Sequence, residues 1–213
     1  MIEVRCFVCN MLQENCYVVN DESHETVVID CGAYYEAEQQ AIINYIDDHQ
    51  LVLRHLLCTH AHFDHCFGNA VLWRRYDVKP CLPKGDEPLA DLDYQMRTMM
   101  GTSYRKEQAP VGCFYDSDAI FDFGTHRLTV LPTPGHSAGS CCLYCAEEKT
   151  LFTGDTLFCQ SIGRTDFEGG NWTSMQQSLR LLATLPVETR VLPGHGPETT
   201  IGRELQTNPY LRD

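Results

Sequence analysis

The sequence has no long apolar run and few basic residues. Among its 213 residues, 16 are Lys or Arg and 29 are Asp or Glu, so the formal net charge is −13. A membrane-spanning helix needs about 20 consecutive apolar residues, and binding to a phosphate backbone needs clustered Lys and Arg. The densest basic spot is the pair Arg74 and Arg75. We therefore expect no membrane span and no nucleic-acid partner, and a small-molecule substrate instead.

An export signal is also missing from the start of the chain, MIEVRCFVCN, which lacks a basic segment followed by an apolar one. The expected location is the cytoplasm, where cysteines stay reduced. Twelve cysteines are present, and two pairs have C-x-x-C spacing, Cys6 with Cys9 and Cys142 with Cys145. Both pairs lie in β-prone runs, and residues three apart on a strand point to opposite faces. We therefore predict buried, apolar cysteines rather than a metal or redox site.

Short β-prone runs alternate with segments of helical periodicity. Strands are predicted at Val4–Val8, Cys16–Asn20, Thr26–Asp30, Arg54–Cys58, Arg127–Leu131, Ser140–Cys145, Thr150–Thr153 and Arg190–Leu192. Helices are predicted at Glu36–Tyr45, Phe67–Tyr76, Leu89–Met100, Ser174–Leu185 and Glu198–Leu205. The strands form two batches, each followed by helices, and residues 83–119 divide them. This order suggests an α/β (α+β) chain built as a four-layer αββα sandwich, with the dividing segment near the site entrance.

Four residues with metal-binding side chains fall within six positions, directly after the β-prone run His55–Cys58. They are His60, His62, Asp64 and His65. Imidazole and carboxylate groups bind borderline divalent metals such as zinc. His60 and His62 are two positions apart in extended backbone and therefore point the same way, whereas Asp64 and His65 fall where a helix is expected to begin. The pattern predicts a metal site with room for a second, adjacent metal.

Three further metal-binding residues each come shortly after a predicted strand and next to a glycine: His136, Asp155 and His195. Glycine permits close approach of the backbone, and catalytic groups commonly lie in loops at strand ends. Each residue alone is compatible with an ordinary turn. Together with the first cluster, the three predict one site formed by several strand ends.

The H-x-H-x-D-H string of residues 60–65 and the three later residues together resemble the pattern of the metallo-β-lactamase superfamily along nearly the whole chain. The resemblance implies two metal sites. The first metal would be bound by His60, His62 and His136, the second by Asp64, His65 and His195, and both by Asp155. Asp30 matches the superfamily's first motif, and we expect it to support the ligands rather than bind metal.

Finer motifs are similar to those of short glyoxalase II enzymes, the hydroxyacylglutathione hydrolases. They comprise residues 154–158, 161–167 and 193–197, with Asn208 and Pro209. Longer glyoxalase II enzymes hold glutathione with a C-terminal helical domain, whereas this chain has 18 residues after His195 (213 − 195). We therefore expect residues 1–213 to form a single domain without that addition. Arg164 resembles the basic residue that binds the glutathione carboxylate in this family, and guanidinium binds carboxylate through two parallel hydrogen bonds.

The implied cofactor is a pair of divalent cations, expected to be zinc, with iron or manganese as alternatives. Such cations ionise a water molecule between them, so the implied nucleophile is a metal-bridging hydroxide, with Asp64 and Asp155 as the catalytic carboxylates. Thiols have a pKa of about 8.5, and a thiolate therefore leaves without a general acid. The resemblance implies hydrolysis of a thioester such as S-lactoylglutathione to a hydroxy acid and a thiol.

Three other functions remain open. Persulfide dioxygenases with a single iron share the fold, the first cluster and a string like that of residues 163–167, and would use His60, His136 and Asp155 to oxidise glutathione persulfide. The glycine-rich turn at residues 193–197 favours the hydrolase. A nuclease would need a basic groove, which the net charge of −13 argues against. A non-enzymatic member of the superfamily would normally have lost metal ligands, whereas all seven expected ligands are present in this sequence.

Overall fold

The computed structural model describes residues 1–212, which form two six-stranded β-sheets, a small hairpin and five α-helices. The strands are β1 Glu3–Cys9, β2 Glu14–Asn20, β3 Glu25–Ile29, β4 Val52–Leu57, β5 Pro80–Pro83, β6 Cys113–Tyr115, β7 Ile120–Phe123, β8 His126–Pro132, β9 Cys141–Cys145, β10 Thr150–Gly154, β11 Leu157–Phe158, β12 Ser161–Ile162, β13 Arg190–Pro193 and β14 Thr199–Thr200. The α-helices are α1 Glu36–Asp48, α2 Asn69–Tyr76, α3 Leu92–Met100, α4 Trp172–Leu182 and α5 Ile201–Thr207. Short 3-10 helices span Phe63–His65 and Lys84–Leu89.

The two large sheets face each other across the main apolar core. The first has the order β1-β2-β3-β4-β5-β6, and the second has the order β14-β13-β10-β9-β8-β7. Ile29 and Leu57 of the first sheet share a fully buried cluster with Leu128 and Phe152 of the second. Burial of apolar surface between two sheets is what holds the layers together.

Helices cover the outer face of each sheet. Ile42 of α1 and Leu72 of α2 pack against Val28 on the first sheet, and Leu179 of α4 packs against Leu151 on the second. The observed layers are therefore helix, sheet, sheet and helix, which confirms the predicted αββα sandwich. Among residues 1–212, no helix combines the length and the apolar composition that crossing a membrane requires.

Burial on both faces explains why β3 reads as a continuous apolar run. Side chains alternate between the faces of a strand. Val27 and Ile29 lie in the core between the sheets, whereas Val28 lies beneath the helices on the outside. A strand of a covered sheet therefore needs no polar positions.

All eight predicted strands are present, but six short strands were not predicted: β5, β6, β7, β11, β12 and β14. β5 begins and ends with proline, and β6 has only three residues. Such short runs have little pattern of their own. They become strands through pairing with their neighbours, with Leu56 opposite Pro80 and Cys81 opposite Cys113.

The cysteines depart from the sequence prediction in two places. Cys81 and Cys113 form a disulfide across β5 and β6, with their Cα atoms 4.7 Å apart, whereas reduced thiols were expected. Cys6 is exposed instead of buried, because β1 is the edge strand of its sheet. Cys9, Cys142 and Cys145 are buried, as predicted.

One edge of the sandwich collects several strand ends. β10 is parallel to β13, and both β8 and β10 are antiparallel to β9, so β8, β10 and β13 run in the same direction. Their carboxyl ends therefore meet at one edge of the second sheet. In the first sheet β3 and β4 are parallel and also end together. The amide N–H of Asn15 in β2 donates to the carbonyl of Gly194 at 2.7 Å and joins the two sheets there.

Candidate metal centre

The loop that follows β4 is fixed by Asp30, the residue directly after β3. Asp30 Oδ1 accepts a hydrogen bond from the Thr59 amide at 2.6 Å, and Asp30 Oδ2 accepts one from Thr59 Oγ1 at 2.7 Å. Asp30 Oδ2 also lies 3.1 Å from His65 Nδ1. Asp30 adopts a φ of +53°, a left-handed conformation that Asp tolerates better than most residues. Its contacts agree with the supporting role expected for it.

Three histidines form the first ligand group. The ring nitrogens of His60, His62 and His136 lie within 4.8 Å of one another, and all three side chains are buried. His62 Nδ1 is 2.8 Å from His136 Nε2. The other nitrogen of His136, Nδ1, is 2.8 Å from the backbone carbonyl oxygen of Arg164. A hydrogen bond from Nδ1 to that carbonyl orients the ring and leaves Nε2 unprotonated, so that Nε2 is able to bind a metal.

A second ligand group lies beside the first and consists of Asp64, His65 and His195. His195 Nε2 is 3.3 Å from Asp64 Oδ2, and His65 Nε2 is 3.7 Å from the same oxygen. The turn that carries His195 is held by β2, where Asn15 Nδ2 donates to the carbonyl oxygen of Pro193 at 2.9 Å.

Asp155 stands between the two groups. Its Oδ2 lies 3.4 Å from His136 Nε2, and its Oδ1 lies 3.4 Å from His65 Nε2. Asp155 therefore contacts both groups, since Oδ1 faces His65 and Oδ2 lies between His136 and His195, 3.7 Å from His195 Nε2. All seven residues predicted as ligands from the sequence thus meet at one site, in the two groups that the resemblance implies.

The residues fit a pair of divalent cations. His60 Nε2, His65 Nε2 and Asp155 Oδ1 are buried without a hydrogen-bond partner. A buried polar atom without a partner is costly, and a cation bound by these atoms would remove the cost. Nitrogen and carboxylate oxygen are the donors that zinc, iron and manganese accept. These clusters of histidines and carboxylates indicate divalent metal binding.

Burial and charge set the protonation of the first group. Burial lowers the pKa of His60 well below its usual value and lowers the pKa of His62 to about 4, with the neighbouring His136 contributing in the same direction. Both rings are therefore neutral near pH 7, which is the form that binds a metal.

In the second group, the effect of the carboxylates on the pKa of His65 is larger than the effect of burial. Burial alone would lower the pKa of His65, but Asp155, Asp64 and Asp30 raise it well above its usual value. Burial opposes ionisation of Asp155, yet the nearby His65 holds the pKa of that carboxyl below its usual range. The group therefore carries ionised carboxylates, and a metal must compete with a proton at His65.

Two residues that the sequence did not reveal hold the ligand loops in place. Asp86 is fully buried and accepts hydrogen bonds from the Ala61 amide at 2.9 Å, Ser137 Oγ at 2.7 Å and the Gly139 amide at 2.6 Å. It thereby joins the loop of His60 and His62 to the loop of His136.

Gln95 of α3 makes a similar connection. Its Nε2 donates to the Ala61 carbonyl at 2.7 Å, and its Oε1 accepts from the Phe63 amide at 3.1 Å. Residues 83–119 therefore support the metal loop as well as bordering the entrance. Asp86 and Gln95 lie in segments without a recognisable motif, so no sequence signal singled them out.

A cavity of about 600 Å³ opens above the ligands. Arg164, the expected substrate-binding residue, lies on its wall, and its Nε and Nη2 donate to the two carboxylate oxygens of Asp166, each at 2.6 Å. The guanidinium carbon lies 3.9 Å from the ring centroid of Phe167. Apolar side chains that the sequence did not identify line much of the remaining wall: Leu12, Met99, Met100, Phe158 and Ile162.

A sequence model described as the metallo-beta-lactamase superfamily matches residues 9–195. The hydroxyacylglutathione hydrolase GloC of Haemophilus influenzae is 31% identical to this chain, and the match covers 93% of this chain and 93% of GloC.

Two solved structures share the fold over almost their whole length. The BLEG-1 B3 metallo-beta-lactamase is 32% identical, with a TM-score of 0.89, and the match covers 99% of this chain and 100% of that one. TTHA1623, crystallised in a di-iron-bound form, is 37% identical, with a TM-score of 0.84, and the match covers 98% of this chain and 100% of that one.

Proposed function

This chain belongs to the metallo-β-lactamase superfamily, and we propose that it is a dinuclear metal hydrolase that cleaves small-molecule thioesters. The observation that carries the proposal is the position of Asp155, with one oxygen 3.4 Å from His136 of the first group and the other 3.4 Å from His65 of the second. A carboxylate in that position suits two metals side by side. We further propose that residues 1–213 act as one catalytic domain.

His60, His62 and His136 would hold one cation, Asp64, His65 and His195 the other, and Asp155 both. When bound, divalent cations would lower the pKa of a water molecule and polarise a substrate carbonyl. Zinc is the proposed metal, and the di-iron form of TTHA1623 makes iron the first alternative.

The protein's own groups would bind, orient and accept protons. Asp64 and Asp155 both line the cavity, and nearby histidines hold the pKa of each carboxyl below its usual range against the effect of burial. Their ionised oxygens are therefore able to orient an attacking water and to accept its proton. The neutral ring of His62 faces the same space.

The leaving group separates a thioester from other acyl substrates. A thiol has a pKa of about 8.5 and leaves as the thiolate, whereas the amine of an amide must be protonated as it leaves. Apart from the seven ligands, the described residues on the cavity wall have apolar side chains, a glycine or the guanidinium of Arg164. None of these groups is a general acid, and a thioester is therefore the better substrate.

Metal-loaded protein should release free thiol from S-lactoylglutathione, and a sample stripped by chelation should lose that activity and regain it when metal is restored. S-lactoylglutathione is the first substrate to test because GloC, a hydroxyacylglutathione hydrolase, is a full-length relative. Failure of the restored protein to cleave any thioester would contradict the proposal.

The second candidate is a single-iron persulfide dioxygenase. His136 Nε2 lies 3.4 Å from Asp155 Oδ2 in the ligand set that this enzyme would use with His60, and TTHA1623, which shares the fold, binds iron, although as a pair of ions. The hydrolase explains more of the structure, because a single-iron enzyme leaves the group of Asp64, His65 and His195 without a role. Oxygen uptake with glutathione persulfide, without thioester cleavage, would establish the dioxygenase instead.

A further inference from the structure

The wall of the cavity above the metal ligands is mostly apolar. Seven apolar side chains line it: Leu12, Phe63, Met99, Met100, Phe158, Ile162 and Phe167. Leu12 and Met100 are 42% and 48% exposed, so apolar surface at the rim faces solvent rather than the protein core. Such a surface gains free energy when a ligand covers it. Methionine side chains are flexible and adapt to ligands of different shape.

The one Lys or Arg among the described residues of the cavity wall is already paired. Arg164 donates from Nε and Nη2 to both oxygens of Asp166, each at 2.6 Å. This is the two-bond geometry with which a guanidinium would bind the carboxylate of a substrate. The face of the guanidinium is covered by Phe167, at 3.9 Å from its ring centroid. The Nε and Nη2 edge of Arg164 is therefore occupied by Asp166, and the charge of the guanidinium is balanced by the carboxylate beside it.

A second carboxylate follows Asp166 in the same segment. Glu168 lies two residues further along the chain and accepts a hydrogen bond from the Tyr94 hydroxyl, at 3.3 Å from Glu168 Oε2. A substrate carboxylate that binds the Nε and Nη2 edge of Arg164 would have to displace Asp166. Like charges at short range repel, so the nearby Asp166 disfavours a second carboxylate at this place.

We propose that the preferred substrate is a thioester with an apolar acyl group and a thiol part that carries no carboxylate. This inference rests on the thioester hydrolysis proposed above and narrows its substrate class. The reaction is the same: the oxygen of water forms the new C–O bond, the C–S bond breaks, and the products are a carboxylate, a thiol and one proton. The apolar wall holds the acyl chain, and the pairing of Arg164 with Asp166 disfavours glutathione.

The first test compares kcat/KM for three thioesters: hexanoyl-N-acetylcysteamine, acetyl-N-acetylcysteamine and S-lactoylglutathione. Each acyl methylene that becomes buried should raise kcat/KM about threefold. Hexanoyl-N-acetylcysteamine should exceed S-lactoylglutathione by about tenfold or more. Cleavage of all three with S-lactoylglutathione preferred would overturn this inference and leave the hydrolase intact. Cleavage of none would overturn the hydrolase itself.

A substitution in the wall tests the apolar contact. Met100→Gln keeps the length of the side chain and makes its end polar, so the ratio of kcat/KM for the hexanoyl over the acetyl thioester should fall about threefold or more. Met11→Gln is the matched control, because Met11 is 45% exposed but does not line the cavity. An unchanged ratio in Met100→Gln, or an equal fall in both variants, would overturn the role of the wall.

A substitution of the paired carboxylate tests the charge argument. Asp166→Asn should free Arg164 and lower KM for S-lactoylglutathione about fivefold, with little change for the hexanoyl thioester. Asp122→Asn is the control, because Asp122 pairs with Arg127 at 3.2 Å and is equally exposed, at 66%, but lies outside the cavity. An unchanged or higher KM for S-lactoylglutathione in Asp166→Asn would contradict the proposal.

Discussion

At the scale of single residues, burial and neighbouring charges determine the protonation of each titratable side chain at this site. Glu14 is fully buried on β2, and neither of its carboxylate oxygens has a hydrogen-bond partner. Its Oε1 lies 3.8 Å from His65 Nδ1. Burial raises the pKa of Glu14 well above its usual value, and Asp30 adds to the effect, while His65 opposes it. Glu14 is therefore a neutral side chain beneath the metal ligands.

Glu14→Gln should leave the protein at least as stable as the wild type at pH 8. An acid with a raised pKa in the folded state loses stability as pH rises from its unfolded pKa, about 4.3, toward the folded value. Glutamine has the same shape and cannot ionise, so it removes that loss. Thermal unfolding at pH 5 and pH 8 measures the effect. A lower melting temperature for the variant at pH 8 than for the wild type would show that the charged carboxylate is needed.

The second ligand group should release protons when it binds metal. The pKa of His65 is raised by Asp155, Asp64 and Asp30. The pKa of His195 is raised by the hydrogen bond that its ring donates to Asp64 and by the charge of Asp155, in both cases against the effect of burial. Below these raised pKa values a metal must displace a proton, so affinity should fall up to about tenfold per pH unit for each proton displaced.

Calorimetric titration with zinc in buffers of different ionisation enthalpy counts those protons. The wild type should release at least one, and His195→Ala should release fewer. Zinc binding without proton release between pH 6 and pH 7 would contradict the charge balance described here.

Among the structural elements, the loops after β4 and β8 depend on a residue from a third segment. Asp86 belongs to the 3-10 helix Lys84–Leu89 and accepts hydrogen bonds from both loops, through Ala61 on one side and Ser137 and Gly139 on the other. Without its carboxylate, the buried Ala61 amide and the partly buried Gly139 amide would lose their acceptor, and Ser137 Oγ would keep only its contact with Ser140 Oγ at 2.7 Å.

Asp86→Ala should lower the free energy of unfolding by about 3 kcal/mol, because each unpaired buried donor costs about 1–3 kcal/mol and the loops relax in part. It should also weaken metal binding about 10- to 100-fold, as loss of a group that orients ligands does. Urea unfolding and metal titration measure the two effects. Asp116→Ala, which removes an exposed partner of Lys84, should change stability by less than about 0.5 kcal/mol. Equal effects in the two variants would refute the connecting role.

The same elements show what the sequence could and could not predict. The ligands were predictable because His60, His62, Asp64 and His65 combine rare side-chain chemistry with short spacing. Asp86 and Gln95 were not predictable, because an isolated Asp or Gln forms no recognisable motif. Their hydrogen bonds to the ligand loops join residues 25 to 53 positions apart in the sequence. The short strand β5 depends in the same way on its neighbours in the sheet.

At the scale of the whole molecule, the layers follow from patterns that repeat along the chain. Two batches of β-prone runs, each followed by segments of helical periodicity, suggest the αββα order, and the structure confirms it. The residues of the cavity wall could not be predicted from such patterns. Leu12, Met100 and Phe158 come from distant segments of the chain and come together only in the folded protein. The disulfide between Cys81 and Cys113 likewise depends on strand pairing.

The two halves of the chain meet at Asp155, and the proposed dinuclear hydrolase requires Asp155 to bind both metals. The most direct test is the metal content per chain of purified wild type and Asp155→Asn, measured by mass spectrometry of the elements after loading with zinc. We predict two metals in the wild type and a lower occupancy of both sites in Asp155→Asn, because the charge facing His136 and His65 is lost. A single metal in the wild type, or an unchanged content in Asp155→Asn, would contradict the account.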